Sequence, residues 1–353
     1  MIKGFRGNSF PNWVGDSSYS NLVSLVLRGC KYCTYLPPVG QLPLLETLWI
    51  NGFHSVVSVG AEFYGGSCKS IQPFQSLKRL DISHMPRWEE WISDDPSHGE
   101  RQGRSRAFPV LEHLGLDSCR ELSRVNHLFL PSLIELELRI CPNVTFPIDL
   151  SLPSLAELTL INCPGQELLQ LGASTIRKLS IGYCSSLLLY WGLDKLCSLS
   201  SLKLVGIKDV ECFPGRISLP SSLTGITISD LRNLKSLDYN GLHHLTSLKQ
   251  LSILSCRKLQ CIPEEGLPSS LSFLEIHRCP VLQRRCQPGA GEDWPKISRI
   301  PQIDIPPPET DFDPDAEVHS LVYQTRSLLS SDWRGHLQFV HRTLAELAVT
   351  FKE

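Results

Sequence analysis

The segment Leu133–Leu138 reads Leu-Ile-Glu-Leu-Glu-Leu, and Leu155–Leu160 reads Leu-Ala-Glu-Leu-Thr-Leu. The same spacing, with leucine or isoleucine at the first, fourth and sixth positions, recurs along most of the chain. It starts at eleven positions, namely Leu22, Leu45, Leu77, Leu111, Leu133, Leu155, Ile176, Leu199, Leu223, Leu248 and Leu271. Most starts are about 21–25 residues apart, whereas the intervals from Leu45 to Leu77 and from Leu77 to Leu111 are longer. A fixed period of this length indicates a repeat protein, which grows without closing a single core.

The eighth residue after each start is a second recurring feature. It is cysteine in seven repeats: Cys30, Cys119, Cys141, Cys163, Cys184, Cys256 and Cys279. A thiol is a small, mostly apolar group that can fill a buried position behind a strand. The period and the cysteines together are typical of leucine-rich repeats. We therefore predict an α/β-class solenoid with a concave face of parallel strands and a mostly irregular convex side of coil and short 3₁₀ turns.

The composition restricts the class of protein. The 353 residues are 42% hydrophobic and 20% charged, which is typical of folded proteins. A net charge of −2 does not favour binding to nucleic acid or to an anionic membrane. The sequence has no apolar run of about 18 residues, which a membrane-spanning helix would need. Residues Met1–Asp16 lack the apolar stretch of a secretory signal. We therefore expect reduced cysteines and a cytoplasmic location, with nuclear or membrane-peripheral locations as alternatives.

Several strings are more specific than the repeat itself. They are Phe10–Asp16, Leu36–Pro43 continuing into Leu45–Leu48, Val59–Gly65, Trp88–Trp91 and Glu264–Leu271. These strings resemble the leucine-rich-repeat region of plant coiled-coil-type NBS-LRR disease-resistance proteins, which are intracellular immune receptors with a nucleotide-binding domain. The resemblance covers about residues 1–305.

The resemblance implies a function for the repeats. In that family they sense pathogen effectors or the host proteins that effectors modify, and they hold the receptor inactive by packing on its nucleotide-binding domain. The sequence has no phosphate-binding G-x-x-x-x-G-K-[ST] string. We therefore expect no cofactor in this chain, and ADP or ATP only in the nucleotide-binding domain of the family. Met1 falls inside the family's repeat region, so we expect an N-terminally truncated domain 1–305 with an open strand edge near Leu22–Leu27.

The predicted concave face provides the candidate site. Alternate strand residues should point to solvent, and they include Trp49, Arg79, Asp81, Asp117, Glu135, Glu137, Arg139, Glu157, Lys178, Lys203, Glu275 and His277. Four neighbouring carboxylates, Asp117, Glu135, Glu137 and Glu157, suggest an acidic patch flanked by Arg79, Lys178 and Lys203. We interpret this face as a docking surface for proteins, although a merely solvated face has the same composition. The polar insert 93–106 is a second candidate.

Signatures of catalysis and metal binding are missing from the sequence. Cys30-x-x-Cys33 is a single CxxC string, and Cys30 belongs to the repeating cysteines, whereas structural zinc needs four converging ligands. His243 and His244 are expected on a surface turn. No hydrolase, zinc-protease or kinase motif occurs. We therefore predict neither an enzyme nor a metal centre.

The sequence changes character after residue 305. Residues 306–315 are rich in proline and acidic residues and are expected to form a linker. Residues 316–353 show two helical apolar patterns, which predict a helical hairpin. It would close the C-terminal end of the solenoid, or alternatively bind a partner.

Two other functions fit the repeats less well. A substrate adaptor of a ubiquitin ligase, or a stand-alone decoy or scaffold, would also use leucine-rich repeats, but such adaptors usually have helical convex segments. A secreted receptor or inhibitor would carry an export signal and asparagine at the cysteine positions.

Overall fold

Each Leu-x-x-Leu-x-Leu segment contributes one short strand to a continuous parallel sheet. The computed structural model describes residues 1–11, 13–65, 72–92, 107–126, 128–146, 150–163, 174–185 and 193–308. The described strands are β1 (Ile2–Lys3), β2 (Ser24–Arg28), β3 (Thr47–Asn51), β4 (Ser58–Val59), β5 (Arg79–Ser83), β6 (Glu90–Ile92), β7 (His113–Asp117), β8 (Arg124–Asn126), β9 (Glu135–Arg139), β10 (Glu157–Ile161), β11 (Lys178–Gly182), β12 (Ser201–Val205), β13 (Cys212–Phe213), β14 (Gly225–Ser229), β15 (Ser236–Leu237), β16 (Gln250–Leu254), β17 (Phe273–His277) and β18 (Gln302–Asp304).

Helices are short and lie between the strands. The described ones are α1 (Ala61–Tyr64), α2 (Tyr239–Leu242), α3 (Pro280–Arg285), α4 (Trp294–Ile297) and 3₁₀ turns at Val39–Gln41 and Leu193–Lys195. No described helix is long and apolar enough to cross a membrane.

The main sheet has thirteen strands in the order β1-β2-β3-β5-β7-β9-β10-β11-β12-β14-β16-β17-β18, and every neighbouring pair is parallel. The leucines of successive repeats stand in register, as Leu136 does with Leu158 and Leu158 with Leu179. They are buried, while the residues between them are partly exposed. This alternation confirms the predicted parallel solenoid and its core.

A left-handed residue ends every repeat strand, a feature the sequence analysis did not identify. The seventh residue after each start has a positive φ, whether it is glycine, as at Gly29, or a larger residue, as at Ile140 and Tyr183. In ten of these repeats its amide still donates to the next repeat, as Ile140 N does to Ile161 O at 2.8 Å. The chain therefore turns sharply inward without losing the hydrogen bonds of the sheet.

The cysteine that follows this turn faces the core. Six of the seven repeating cysteines are buried and Cys184 is partly buried. Each thiol donates to the carbonyl two residues earlier, for example Cys141 Sγ to Arg139 O at 3.3 Å and Cys163 Sγ to Ile161 O at 3.2 Å. In two places a backbone amide also donates to the next sulfur, as Cys141 N does to Cys163 Sγ at 3.4 Å.

The convex side contains more regular structure than the sequence predicts. In addition to coil and 3₁₀ turns it has a three-stranded sheet, β4-β6-β8, and a two-stranded sheet, β13-β15. Beside the three-stranded sheet lies an aromatic core that contains Phe63, Phe74 and Phe108. Trp91 Nε1 donates to Tyr64 Oη at 2.8 Å within this core. The strings Val59–Gly65 and Trp88–Trp91 are therefore packing elements of the long repeats.

The ends of the sheet differ from the sequence-based expectation. β1 pairs with β2, so the edge expected near Leu22–Leu27 is partly covered and the edge strand is Ile2–Lys3. At the other end β18 pairs with β17, and α3 and α4 follow the last repeat. Asp293, which is fully buried, accepts from Ile262 N at 3.1 Å and from Arg285 Nε at 2.9 Å. The last repeat of a solenoid would otherwise expose core side chains, and β18, α3 and α4 are the elements that follow it here.

Some predicted segments lie outside the described residues. These are the polar insert 93–106, residues 309–315 of the linker and the helical tail 316–353.

Candidate functional site

All twelve residues selected from the sequence lie at outward positions on the main sheet. Trp49 is on β3, Arg79 and Asp81 on β5, Asp117 on β7, Glu135, Glu137 and Arg139 on β9, Glu157 on β10, Lys178 on β11, Lys203 on β12, and Glu275 and His277 on β17. Each is partly or fully exposed. We call this outward side of the thirteen-stranded sheet the concave face.

A four-residue polar network crosses the first half of the concave face. Arg79 Nε donates to Asp81 Oδ2 at 2.7 Å within β5. His113, on β7, lies with Nε2 3.1 Å from Asp81 Oδ1 and with Nδ1 2.8 Å from Glu135 Oε2 on β9. One imidazole therefore joins carboxylates from the strands on both sides of it.

The charge state of this network follows from its contacts. Burial opposes protonation of His113, but hydrogen bonds to Asp81 and Glu135 outweigh it and raise the His113 pKa to about 9. Burial also works against ionisation of Asp81, yet hydrogen bonds and charge from His113 and Arg79 leave its pKa lowered. The hydrogen bond from His113 lowers the pKa of Glu135. At neutral pH the network therefore holds two cations and two anions.

The remaining carboxylates of the expected acidic patch also have partners. Glu137 pairs with Arg139 on the same strand, and Glu157 accepts from Lys178 Nζ at 2.6 Å across β10 and β11. Asp117 accepts from Ser118 Oγ at 2.9 Å and stands in register with Arg139. The surface is therefore an alternating arrangement of paired charges and not an acidic field.

Sequence reasoning missed His113, which is central to this arrangement. It occupies the second position after Leu111, so the register placed it on the concave face, but its burial could not be read from the repeat. Gly115 explains that burial. It stands in register with Asp81, and a Cβ added to it would lie 2.6 Å from Asp81 Oδ1 and 3.2 Å from His113 Nε2. The missing side chain at Gly115 gives the carboxylate and the imidazole room to meet.

The concave face changes composition beyond β11. Outward positions on β12, β14 and β16 include Ser201, Thr227, Ser229 and Ser252, with Lys203 as the basic residue. Charge returns at the last two strands, where Glu275, His277 and Asp304 lie together. Paired charges therefore occupy the strands from β5 to β11, and small polar residues follow them.

The thiols of Cys30 and Cys33 are engaged in the core. Cys30 Sγ lies 3.7 Å from Arg28 O, and Cys33 Sγ donates to Gly7 O at 3.3 Å. Burial raises the pKa of both thiols, that of Cys33 to about 11. These contacts fit two packed, protonated thiols.

Comparison with known proteins finds relatives among plant disease-resistance proteins. Residues 1–53 match the family model described as R13L1/DRL21 LRRs. Over 266 residues, 73% of this chain, the sequence is 32% identical to disease resistance RPP13-like protein 1 of Arabidopsis thaliana. Over 309 residues, 86% of the chain, it is 30% identical to disease resistance protein RGA4 of Solanum bulbocastanum. These relatives are plant disease-resistance proteins, and the leucine-rich repeats of this chain are similar to part of their sequences.

The chain corresponds to only part of the length of those relatives. The matched region spans 23% of the Arabidopsis protein and 28% of the Solanum protein. Among solved structures, the functional domain of InlJ from Listeria monocytogenes has 13% sequence identity and a TM-score of 0.37, over 85% of this chain and 62% of that one.

Proposed function

We propose that the concave face of these disease-resistance repeats binds a protein and acts as a sensor of pathogen effectors, or of host proteins that effectors modify. The single observation that carries this proposal is the row of partly exposed, paired charges from Arg79 to Lys178 on a regular parallel sheet. Their alternating signs give a defined electrostatic pattern, which favours specificity for one partner over another. The names of the relatives support a role in defence.

The same surface could have a second partner. In a receptor of this kind, contact between the repeats and a nucleotide-binding domain would hold the protein inactive. We place ADP or ATP binding in that domain and none in the repeats, and we place the protein inside the plant cell. The repeats would contribute recognition without catalysis.

A charge swap tests the proposal while preserving the internal ion pair. The double variant Glu157→Lys with Lys178→Glu keeps a cation beside an anion but reverses the local pattern. Partner binding would be measured by co-expressing the chain with individual secreted pathogen proteins in leaf cells, followed by co-precipitation and scoring of cell death. We expect a partner that binds the unaltered chain to bind the swapped chain at least about tenfold more weakly.

The convex side offers a matched control. Glu211 and Lys235 form a similar exposed pair, with Lys235 Nζ 2.8 Å from Glu211 Oε2. The swap Glu211→Lys with Lys235→Glu should leave binding unchanged. If the convex swap abolishes binding and the concave swap does not, the concave face is not the sensor surface.

A further inference from the structure

A cluster of three potential metal ligands lies where the main sheet ends. Glu275 and His277 are two residues apart on β17, so both point to the concave face. Asp304, on β18, stands in register with Glu275. One ligand atom from each of the three side chains lies within 4.8 Å of the other two. Sequence reasoning could not group them, because β18 lies outside the recognisable repeats.

The two carboxylates stand side by side on neighbouring strands, where like charges destabilise a sheet. Another pair of carboxylates on the described strands of the concave face is comparable, since Glu135 stands in register with Glu157. There each carboxylate has its own cation, His113 at 2.8 Å and Lys178 at 2.6 Å. In the described part of the chain, Asp304 pairs with His277 and Glu275 makes no ion pair, so these two carboxylates have less positive charge beside them.

The imidazole itself is incompletely satisfied. His277 Nε2 lies 3.1 Å from Asp304 Oδ2. Within the described residues, however, this nitrogen is buried and makes no hydrogen bond of acceptable geometry. A buried nitrogen without a well-formed hydrogen bond has lost its contacts with water and has not replaced them, which costs free energy.

We propose that Glu275, His277 and Asp304 form a site for a divalent transition-metal ion such as Zn²⁺. One imidazole nitrogen and two carboxylate oxygens are ligands that zinc accepts, at distances of about 2.0–2.2 Å. The ion would supply the positive charge that the adjacent carboxylates lack and would use the Nε2 lone pair. Small side-chain rotations would bring the three ligand atoms together, because all three stand on one rigid sheet.

The geometry also fixes what the ion would do. It would link β17 to β18, the last pair of the main sheet. Asp304 is 56% exposed, and three protein ligands leave a fourth tetrahedral position for water or for a side chain of a bound protein. The site therefore lies at the end of the concave face. Its ability to bind a metal ion does not depend on the proposed sensor function.

Titration of the metal-free full chain with ZnCl₂, followed by calorimetry, tests the site. We expect one equivalent per chain to bind, and His277→Ala, Glu275→Gln and Asp304→Asn each to weaken that binding by at least about tenfold. The variants Glu275→Gln and Asp304→Asn nearly preserve side-chain shape, so circular dichroism should show an unchanged fold. His54, an exposed turn histidine, supplies the control variant His54→Ala, which should bind as the unaltered chain does.

Cobalt spectra and melting curves separate this site from adventitious binding to thiols. Bound Co²⁺ should show no thiolate charge-transfer band, and Zn²⁺ should raise the melting temperature of the unaltered chain but not of Asp304→Asn. Absence of stoichiometric binding, equal binding by all three variants, or a thiolate band would each overturn the proposal.

Discussion

His113 Nδ1 lies 2.8 Å from Glu135 Oε2, so an imidazole on β7 is held against the carboxylate in register with it on β9. Its other nitrogen faces Asp81 at 3.1 Å. The three side chains therefore connect three successive repeats of the concave face through one cation.

Replacing His113 with glutamine should remove part of the pH dependence of stability. The folded-state pKa of His113 is raised to about 9, above an unfolded value of about 6.5. Its stabilising contribution is therefore complete below pH 6.5 and is lost as the pH rises through 9, by on the order of 3 kcal/mol. Urea unfolding of both proteins at pH 6, 7.5 and 9.5 measures this, and their difference should shrink as the pH rises. A stability difference between the two proteins that stays constant with pH would show that folding does not raise the His113 pKa.

The variant Gly115→Ala should disturb the same network by a different route. The added methyl group would lie 2.6 Å from Asp81 Oδ1, which must move away from His113. We expect a loss of about 1–3 kcal/mol, typical of overpacking, and a lower His113 pKa by NMR titration. Gly225→Ala is the control, because the nearest atom to its added Cβ is Gln250 Oε1 at 3.8 Å. An unchanged imidazole titration in Gly115→Ala would contradict the proposed role of Gly115.

The left-handed turn after each strand predicts a backbone effect at Gly29. Its φ is 68°, and an added Cβ would meet only Gly4 N, at 3.9 Å. The variant Gly29→Val should therefore cost about 1–2 kcal/mol through strain alone. Gly29→Asn should cost less, since asparagine tolerates this conformation. Thermal unfolding of both variants measures the difference, and equal melting temperatures would argue against a left-handed residue here.

Cysteine reactivity should follow burial and not position in the sequence. Cys197 is exposed, whereas Cys119 and Cys141 are buried. The hydrogen bond with the Cys119 thiol and burial raise the pKa of Cys141, against the opposing effect of the Cys163 thiol, and only the thiolate reacts. Iodoacetamide labelling at pH 8, mapped by mass spectrometry, should modify Cys197 before Cys119, and Cys141 only after denaturation. Early labelling of Cys141 in the native protein would contradict this packing.

The sequence by itself determined the repeating part of the fold. A period-two alternation inside a fixed longer period allows only one face of each strand to be buried, so Leu136, Leu158 and Leu179 had to align in a core. The same register placed Glu157 and Lys178 on the opposite face. The cysteines were predictable as buried fillers for the same reason, because their position is fixed relative to the strand.

Only the tertiary structure decided which of those outward residues meet. His113 contacts Asp81 because Gly115 leaves space between them, and the repeat pattern does not encode that space. Asp304 joins Glu275 through pairing of β17 with β18, two segments that share no motif. Burial of the leucine core is a property of the periodic pattern, and a sequence shows it directly. Contacts between particular polar side chains depend on local space and on pairing between distant segments, which appear only when the chain is folded.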